Sequence, residues 1–292
     1  MKLKLFYTAA LLITAIINLC SCKTGTDIQN SSVYVNDDTS SAETAEYVSV
    51  HFFNAGKADA CIISDSEHNV MIDTGEFTLA DELIGYFNEK GITKLDYLII
   101  THFDKDHVGS ASEIINNIDV ENVLQSNVPK ESEYYDNYLE ALKNKKLKAV
   151  TVSETLSFDL GEMQFTVDAP ACVYEKNESN NSSLITSLIY DNSGFIFMGD
   201  AQKERLTDFI DGNTSEYDFV KMPYHGNYQK RLTDLLENIR PKYAVITSSD
   251  KEPEQEEMLE VLDNMDVSYY LTRKGAVDII SDGNEISITQ EP

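Results

Sequence analysis

Two histidines and two aspartates fall within six residues of the chain, namely His102, Asp104, Asp106 and His107 in the segment 101–109. Imidazole nitrogens and carboxylate oxygens together suit zinc or manganese as a bound ion. Ligands that lie so close along the chain need little rearrangement to surround one cation. The spacing therefore predicts a metal site, and a polar, solvated loop is the alternative interpretation.

The element before this segment is predicted to be a buried strand. Residues 95–100 form a short, largely apolar run with β-branched side chains, and the polar segment follows directly. Loops at the ends of such strands commonly carry the sites of α/β proteins. The segment 101–109 thus lies where a functional site is expected.

The chain contains five histidines, and three of them lie in settings of this kind. His102 and His107 belong to the segment just described, and His225 ends another predicted strand. His51 lies in a strand-like run and His68 in a polar turn, where a lone histidine is more often structural than a ligand. We expect the first three to be functional.

Four further polar segments adjoin predicted strands. Each is weak evidence alone, because Gly-Asp or Asp-Thr-Gly at a strand end is usually a turn. Their order along the chain, together with the segment 101–109, is a specific signal of a shared functional site. They are 71–75 with Asp73, 180–184 with Asn181 and Ser183, 197–200 with Asp200, and 221–226 with Tyr224 and His225.

Residues from 46 onward alternate short apolar runs with amphipathic segments, in two successive halves. Two sheets packed face to face, with helices on both outer faces, would bury the apolar side of every element. The pattern predicts an α/β (α+β) fold of this kind. The predicted strands are 48–53, 61–64, 70–72, 95–100, 123–124, 156–158, 164–167, 184–190, 195–198, 219–222, 243–247 and those within 267–289, and the predicted helices are 79–87, 110–118, 134–142, 202–210, 232–239 and 258–265.

Residues 1–22 have the features of a secretory signal peptide, with Lys2 and Lys4 before an apolar stretch at 5–19. This stretch is short for a membrane span, which needs about 20 apolar residues. The sequence Leu-Cys-Ser-Cys at 19–22 resembles the bacterial lipobox, which implies that Cys22 becomes a lipidated N-terminus. We therefore expect an extracytoplasmic protein anchored to the cell membrane through Cys22. A secreted protein with an ordinary cleaved signal, or an uncleaved anchor helix, is the alternative.

The rest of the chain divides into a tether and one domain. Residues 23–45 are rich in Ser, Thr, Asn and Asp, which predicts a flexible polar tether. Residues 46–292 are enough for a single domain with a large core. Cys61 and Cys172 each lie next to apolar residues, which predicts two buried thiols and no disulfide framework.

The charge of the chain restricts its partners. The formal net charge is −27, which argues against a broad basic surface for long nucleic acids. A small anionic substrate remains compatible, because bound metal ions reverse the sign of the field locally.

Taken together, these segments resemble the metallo-β-lactamase fold superfamily over residues 46–289. The segment 101–109 matches the superfamily's H-x-H-x-D-H motif, with Asp104 in place of the second histidine. That change, the run 51–60, the Asn-Asn-x-Ser-Leu segment and a terminal His-Gly resemble one branch more narrowly. It contains the extracellular hydrolase domain of ComEC-type DNA-uptake proteins and their free-standing secreted relatives. The resemblance implies a four-layer αββα sandwich.

The resemblance also implies a set of metal ligands. His102 would bind the first metal position, and Asp200 would bridge the two positions. The second position would be bound by Asp106, His107 and His225.

One ligand of the family pattern is absent from this chain. No histidine lies between His107 and His225, and Asn181 and Ser183 occupy the corresponding region. The first position then retains His102, Asp200 and, as a further candidate, Asp104. We expect one firm and one weaker site for divalent ions, with zinc as the metal and manganese as the alternative.

Four residues have further predicted roles, and two of them, Tyr224 and Lys57, lie where the chain departs from the family pattern. Asp106 would orient the attacking water, which makes it the candidate catalytic residue. Asp73 would support the site by contacting a ligand histidine, or would merely end a strand in a turn. Tyr224 would donate its hydroxyl to substrate or fill space, and Lys57 would offer a cation to a phosphate or be only a solvated side chain.

The resulting hypothesis is a cell-surface, metal-dependent hydrolase of phosphodiester or phosphate ester bonds that uses metal-activated water. Its substrate would be a small or oligomeric ester, and β-lactamase activity is disfavoured because the first metal position retains only one of the histidines of the family pattern. A non-catalytic, metal-binding scaffold protein that retains the fold is the first alternative. A nuclease that assists DNA uptake is the second. The sequence leaves the oligomeric state open.

Overall fold

The computed structural model describes residues 47–176 and 178–290. The described residues belong to one unit, Thr44–Pro292. The predicted signal peptide at 1–22 and the predicted tether at 23–45 lie outside the described residues. Among the described residues, no helix combines the length and the hydrophobicity that crossing a membrane requires.

Strands and helices alternate along the chain much as the apolar periodicity predicts. The strands are β1 (Val48–Phe52), β2 (Ala60–Ser64), β3 (Asn69–Thr74), β4 (Lys94–Ile100), β5 (Asp119–Gln125), β6 (Ala149–Thr151), β7 (Leu156–Leu160), β8 (Met163–Asp168), β9 (Ile185–Tyr190), β10 (Ser193–Phe197), β11 (Phe219–Lys221), β12 (Tyr243–Ile246), β13 (Ser268–Leu271), β14 (Val277–Ser281) and β15 (Ile286–Gln290). The helices are α1 (Ala80–Lys90), α2 (Lys105–Val108), α3 (Ala111–Asn117), α4 (Glu133–Lys145), α5 (Glu178–Asn181), α6 (Lys203–Gly212), α7 (Leu232–Ile239) and α8 (Glu256–Asn264).

The strands form two sheets that pack against each other. The first sheet has the order β15-β14-β1-β2-β3-β4-β5-β6, and the second has the order β13-β12-β11-β10-β9-β8-β7. Side chains from both sheets share one apolar core. In it, the ring of Phe52 on β1 lies 6.1 Å from that of Phe197 on β10 and 5.7 Å from that of Phe219 on β11. This shared core joins the two halves of the molecule.

Helices cover the outer face of each sheet. Leu83 of α1, Ile114 of α3 and Tyr138 of α4 are buried against the first sheet. Leu206 of α6 and Leu236 of α7 are buried against the second sheet, together with α8. The chain is thus a four-layer αββα sandwich, and the predicted fold class is confirmed.

One local prediction is wrong. Cys61 is buried, as expected, but the thiol of Cys172 is exposed. Cys172 lies in the loop between β8 and α5, where neighbouring residues also face solvent. Its apolar sequence neighbours therefore do not place it in the core.

The parallel strands determine where a site can form. In the first sheet β3, β4 and β5 run parallel, and in the second sheet β10, β11 and β12 do so. Parallel neighbours end at the same edge of a sheet, so the segments that follow β4, β10 and β11 meet at one end of the sandwich.

Candidate metal centre

Polar side chains from both sheets converge at this end. His102 and His107 follow β4, Asp200 follows β10 and His225 follows β11. The imidazole rings of His102 and His107 are 4.0 Å apart, and those of His107 and His225 are 5.3 Å apart. The structure therefore brings together residues that are far apart in the sequence.

Four buried polar atoms at the centre of this cluster have no hydrogen-bond partner. They are Nε2 of His102, His107 and His225 and Oδ1 of Asp200. The Asp200 Oδ1 atom lies 3.3 Å from His107 Nε2 and 3.2 Å from His225 Nε2. A buried polar atom without a partner is costly, and a divalent cation bound among these atoms would remove that cost.

The hydrogen bond of His107 fixes which of its nitrogens faces the centre. His107 Nδ1 lies 2.7 Å from Asp73 Oδ2. An ionised carboxylate only accepts hydrogen bonds, so Nδ1 carries the proton and donates it. In the neutral ring Nε2 then presents a lone pair to the centre, as a metal ligand must.

The same logic applies to the other two histidines. The Thr247 hydroxyl donates to Asp59 at 2.6 Å and so accepts from His225 Nδ1 at 3.1 Å. The Thr101 hydroxyl donates to Asp73 and so accepts from His102 Nδ1 at 3.1 Å. All three rings therefore present Nε2 to the centre when they are neutral.

Four overlapping groups of atoms among the described residues could each hold an ion, and two of them do without Asp59, whose carboxylate is already paired with Lys221. One group is His102, His107 and Asp200, and the other is Asp106, His107 and His225. In the second group, Asp106 Oδ2 lies 3.4 Å from His225 Nε2. Imidazole nitrogen with carboxylate oxygen fits a divalent transition-metal ion.

The pKa values in the cluster show how strongly its charges interact. Burial alone would lower the pKa of His225, but the carboxylates of Asp200 and Asp59 raise it to about 10. Burial would likewise lower the pKa of His107, yet Asp200 and Asp73 hold it well above its usual value. Burial and the neighbouring His107 lower the pKa of His102 to about 4. Without a metal ion, protons on His107 and His225 balance the carboxylates, and a divalent ion would displace them.

The carboxylates respond in the opposite direction. Burial alone would raise the pKa of Asp106, but His225 and His107 lower it to about 2. The same two histidines hold the pKa of buried Asp200 well below its usual range. Both groups are therefore anionic at neutral pH.

Comparison with known proteins agrees with this arrangement. The family model of the Metallo-beta-lactamase superfamily matches residues 54–248, which is more than half of the chain. The chain belongs to the metallo-beta-lactamase superfamily. The metallo-beta-lactamase fold protein YhfI from Bacillus subtilis has the same fold, with a TM-score of 0.53 at 9% identity over 84% of this chain and 100% of that chain.

Two curated relatives confirm the predicted branch of the superfamily. ComE operon protein 3 of Bacillus subtilis (strain 168) is 25% identical over 221 residues, which cover 68% of this chain and 28% of that protein. Recombination protein 2 of Haemophilus influenzae (strain ATCC 51907 / DSM 11121 / KW20 / Rd) is 23% identical over 205 residues, which cover 68% of this chain and 24% of that protein. The chain thus spans about a quarter of the length of these relatives. Membership of the superfamily and the clusters of histidine and aspartate together support a metal-dependent hydrolase in general terms.

The sequence did not lead us to predict a buried ion pair that lies next to the candidate metal centre. The Lys221 ammonium donates to the Asp59 carboxylate, and both side chains are buried. Asp59 Oδ1 also lies 3.4 Å from His225 Nδ1, and Asp59 Oδ2 lies 3.8 Å from His107 Nδ1. A lysine at the end of a fully buried strand was the available signal, because such a charge needs a partner.

Asp104 lies at the rim of the site rather than at its centre. Its Oδ1 accepts hydrogen bonds from the Lys130 ammonium and the Ser179 hydroxyl. The same oxygen is 3.9 Å from His102 Nε2. Among the described residues Asp104 is in none of the groups of atoms that could hold an ion. Lys130 and Ser179 were not singled out from the sequence.

The residues in the region of the missing histidine have other roles. The Asn181 amide donates to Lys176 O at 2.9 Å and its Oδ1 accepts from Gln202 N at 3.1 Å, so it fixes a loop. Ser183 Oγ accepts from the Asp200 backbone N–H at 3.0 Å and lies 3.4 Å from His102 Nδ1. Both residues therefore support the site from behind.

The two remaining candidates have partly exposed side chains. Lys57 forms an ion pair with Glu252 at 2.7 Å, and its side chain is partly exposed. Tyr224 is half-buried, and its ring centroid is 6.5 Å from that of His225. Their predicted contacts with substrate stay predictions.

Proposed function

We propose that this protein is a metal-dependent phosphoesterase that hydrolyses phosphodiester or phosphate ester bonds with water. Metal dependence is supported by four buried polar atoms without hydrogen-bond partners, which belong to His102, His107, Asp200 and His225. The ester class is what the resemblance to ComEC-type hydrolase domains implies, and the similarity to ComE operon protein 3 supports it.

The proposed reaction divides between the metal and the side chains of the chain. A divalent ion, with zinc first and manganese second, would acidify a water and polarise the scissile group when bound. His107 and His225 hold their Nε2 atoms in place through Asp73 and Thr247. These hydrogen bonds already orient the two rings toward the position of the ion.

Asp106 is proposed to accept a hydrogen bond from the attacking water. One of its oxygens faces His225, and its side chain is 23% exposed, so it is also accessible to solvent. Its lowered pKa, about 2, keeps it ionised and able only to accept at neutral pH. Asp106 therefore orients the water rather than protonating a leaving group.

Hydrolysis of three compounds tests this function. Protein loaded with zinc or manganese should hydrolyse bis-p-nitrophenyl phosphate and should leave nitrocefin intact. A short single-stranded oligonucleotide is the third substrate, and cleavage of it in preference to the small diester would favour a nuclease. Metal-loaded protein that hydrolyses none of the three would instead support a non-catalytic scaffold.

Variants of two histidines connect activity to the metal. His225→Ala should lose both bound metal, measured by elemental analysis, and hydrolysis of the diester. His68→Ala is the matched control, because His68 contacts Asp65 away from the site and should keep both. Unchanged metal content in His225→Ala would remove His225 from the ligand set, and wild-type protein without metal at neutral pH would overturn the proposal.

We also propose that the protein is anchored on the extracytoplasmic face of the cell membrane by a lipid on Cys22. The lipobox-like residues at 19–22 support this proposal. Cys22→Ser should release the protein from the membrane fraction, whereas Cys20→Ser, two residues earlier, should stay bound. Retention of Cys22→Ser in membranes would contradict lipidation there.

A further inference from the structure

Lys130 places a positive charge next to the first metal position. It lies in the loop after β5, and its side chain is 37% exposed. Its ammonium donates to Asp104 Oδ1 and contacts Ser179 Oγ at 3.5 Å. Ser179 donates to the same oxygen of Asp104. Two donors therefore occupy the carboxylate oxygen that lies 3.9 Å from His102 Nε2.

These contacts leave the first position short of ligands. Asp104 Oδ1 already has two partners, and Asn181 and Ser183 are hydrogen-bonded elsewhere. His102, His107 and Asp200 remain. His107 is also a candidate ligand of the second position, and Asp200 also faces His225. A second dication beside the Lys130 ammonium would moreover be repelled by it.

We propose that the Lys130 ammonium takes the place of a second metal ion. The centre then binds one divalent ion, and Lys130 binds the phosphoryl group of the substrate. The inference rests on the proposed function, since it names the residue that recognises the anionic part of the ester.

The geometry of the ammonium suits this role. A lysine ammonium has three donors and binds phosphate as a compact point charge. The contacts to Asp104 and Ser179 use two of these donors, and within 47–176 and 178–290 no further partner of the ammonium is found. One donor thus remains for an anion that approaches from solvent.

Two measurements on the purified full-length protein test the inference. The first is the amount of zinc bound at saturation, which should be about one equivalent per chain for the wild type. The second is the affinity of the zinc-loaded protein for inorganic phosphate, measured by calorimetry. Lys130→Met should weaken phosphate binding about ten- to hundredfold, the range for loss of a hydrogen bond to a charged group. Lys130→Arg keeps the charge and should stay near the wild type.

Lys105→Met is the matched control. Lys105 follows Asp104 in the chain, but its exposed ammonium pairs with Glu76 at 2.8 Å. This variant should bind phosphate like the wild type. If Lys130→Met fails to fold, judged by circular dichroism, Lys130→Gln replaces it in the same measurement.

The possible results separate this inference from the proposed function. A wild type with two firmly bound zinc ions would overturn the inference. So would unchanged phosphate affinity in Lys130→Met, or an equal loss in Lys105→Met. If the wild type binds metal and hydrolyses the diester in any of these cases, only the role of Lys130 fails. A wild type that binds no metal overturns the proposed function itself.

Discussion

Asp73 controls the protonation pattern of the candidate metal centre. It is fully buried at the end of β3 and accepts hydrogen bonds from Thr101 N at 2.8 Å, from the Thr101 hydroxyl at 2.7 Å and from His107 Nδ1 at 2.7 Å. Through the Thr101 hydroxyl it also sets the direction of the hydrogen bond to His102. One carboxylate therefore orients two of the three histidines.

Replacing this carboxylate by an amide should weaken metal binding. In Asp73→Asn the amide N–H would face the Nδ1–H of His107, so His107 would shift its proton to Nε2 and lose the lone pair. We expect zinc affinity to fall about 10- to 100-fold, the usual effect of losing such a partner. Asparagine tolerates the positive φ of 55° at this position, so the backbone should be retained. Competition with a chromogenic chelator would measure the affinity.

Asp278→Asn is the control for this change. Asp278 contacts His51 Nδ1 at the same distance, 2.7 Å, but in a strand pair away from the centre. Its substitution should leave zinc affinity unchanged. An Asp73→Asn protein that binds zinc as tightly as the wild type would show that the carboxylate does not set the tautomer.

The segment 101–109 is positioned against the turn that follows β3. The Thr74 hydroxyl donates to His107 O at 2.9 Å, and the Ser110 hydroxyl donates to Glu76 O at 2.6 Å. Between these bonds Gly109 packs directly against the turn. The short helix α2, which carries Asp106 and His107, is therefore held by close backbone contact.

A methyl group at Gly109 should disrupt this contact. A Cβ there would lie 2.3 Å from Lys105 O and 2.6 Å from Gly75 O. Since backbone atoms cannot move aside as a side chain can, we expect Gly109→Ala to destabilise the fold by about 1–3 kcal/mol. Displacement of α2 should also reduce zinc content. Urea unfolding and elemental analysis would measure the two effects.

Gly85→Ala is the corresponding control in an exposed position. A Cβ at Gly85, in the middle of α1, would meet no atom within 4 Å. Alanine should stabilise that helix by about 0.5–1 kcal/mol. Equal changes in the free energy of unfolding for the two alanine variants would contradict the packing role of Gly109.

At the level of elements, the sequence predicts the fold well because its signals are local. The apolar periodicity of 232–239 and the buried run of 95–100 are visible within a few residues, and α7 and β4 form there. The missed contacts join distant segments. Lys221 and Asp59 are 162 residues apart, and Ser179 and Asp104 are 75 apart. No local pattern reports such pairs, so the ligand candidates were predictable from the sequence and these two long-range contacts were not.

For the whole molecule, the site depends on the packing of the two sheets. His102 and His107 come from the first sheet, and Asp200 and His225 come from the second. A metal ion that joins them connects the two halves, so binding should stabilise the folded chain as a unit. The chain has a net charge of −27, and the site itself contains several aspartates. A bound cation would reduce the repulsion among these negative charges.

The stability of the metal-free protein should consequently depend on pH in a characteristic way. The pKa of His225 is raised from 6.5 to about 10, so its stabilising charge is fully present below pH 6.5 and is lost as the pH rises through 10. His107 acts in the same direction. The melting temperature of chelator-treated protein should therefore fall between pH 6.5 and 10, whereas the gain from added zinc should grow, because zinc competes with those protons. His225→Gln should flatten the first trend and His68→Gln should not. A metal-free melting temperature that rises over this interval would mean that protons on His225 and His107 do not balance the buried carboxylates.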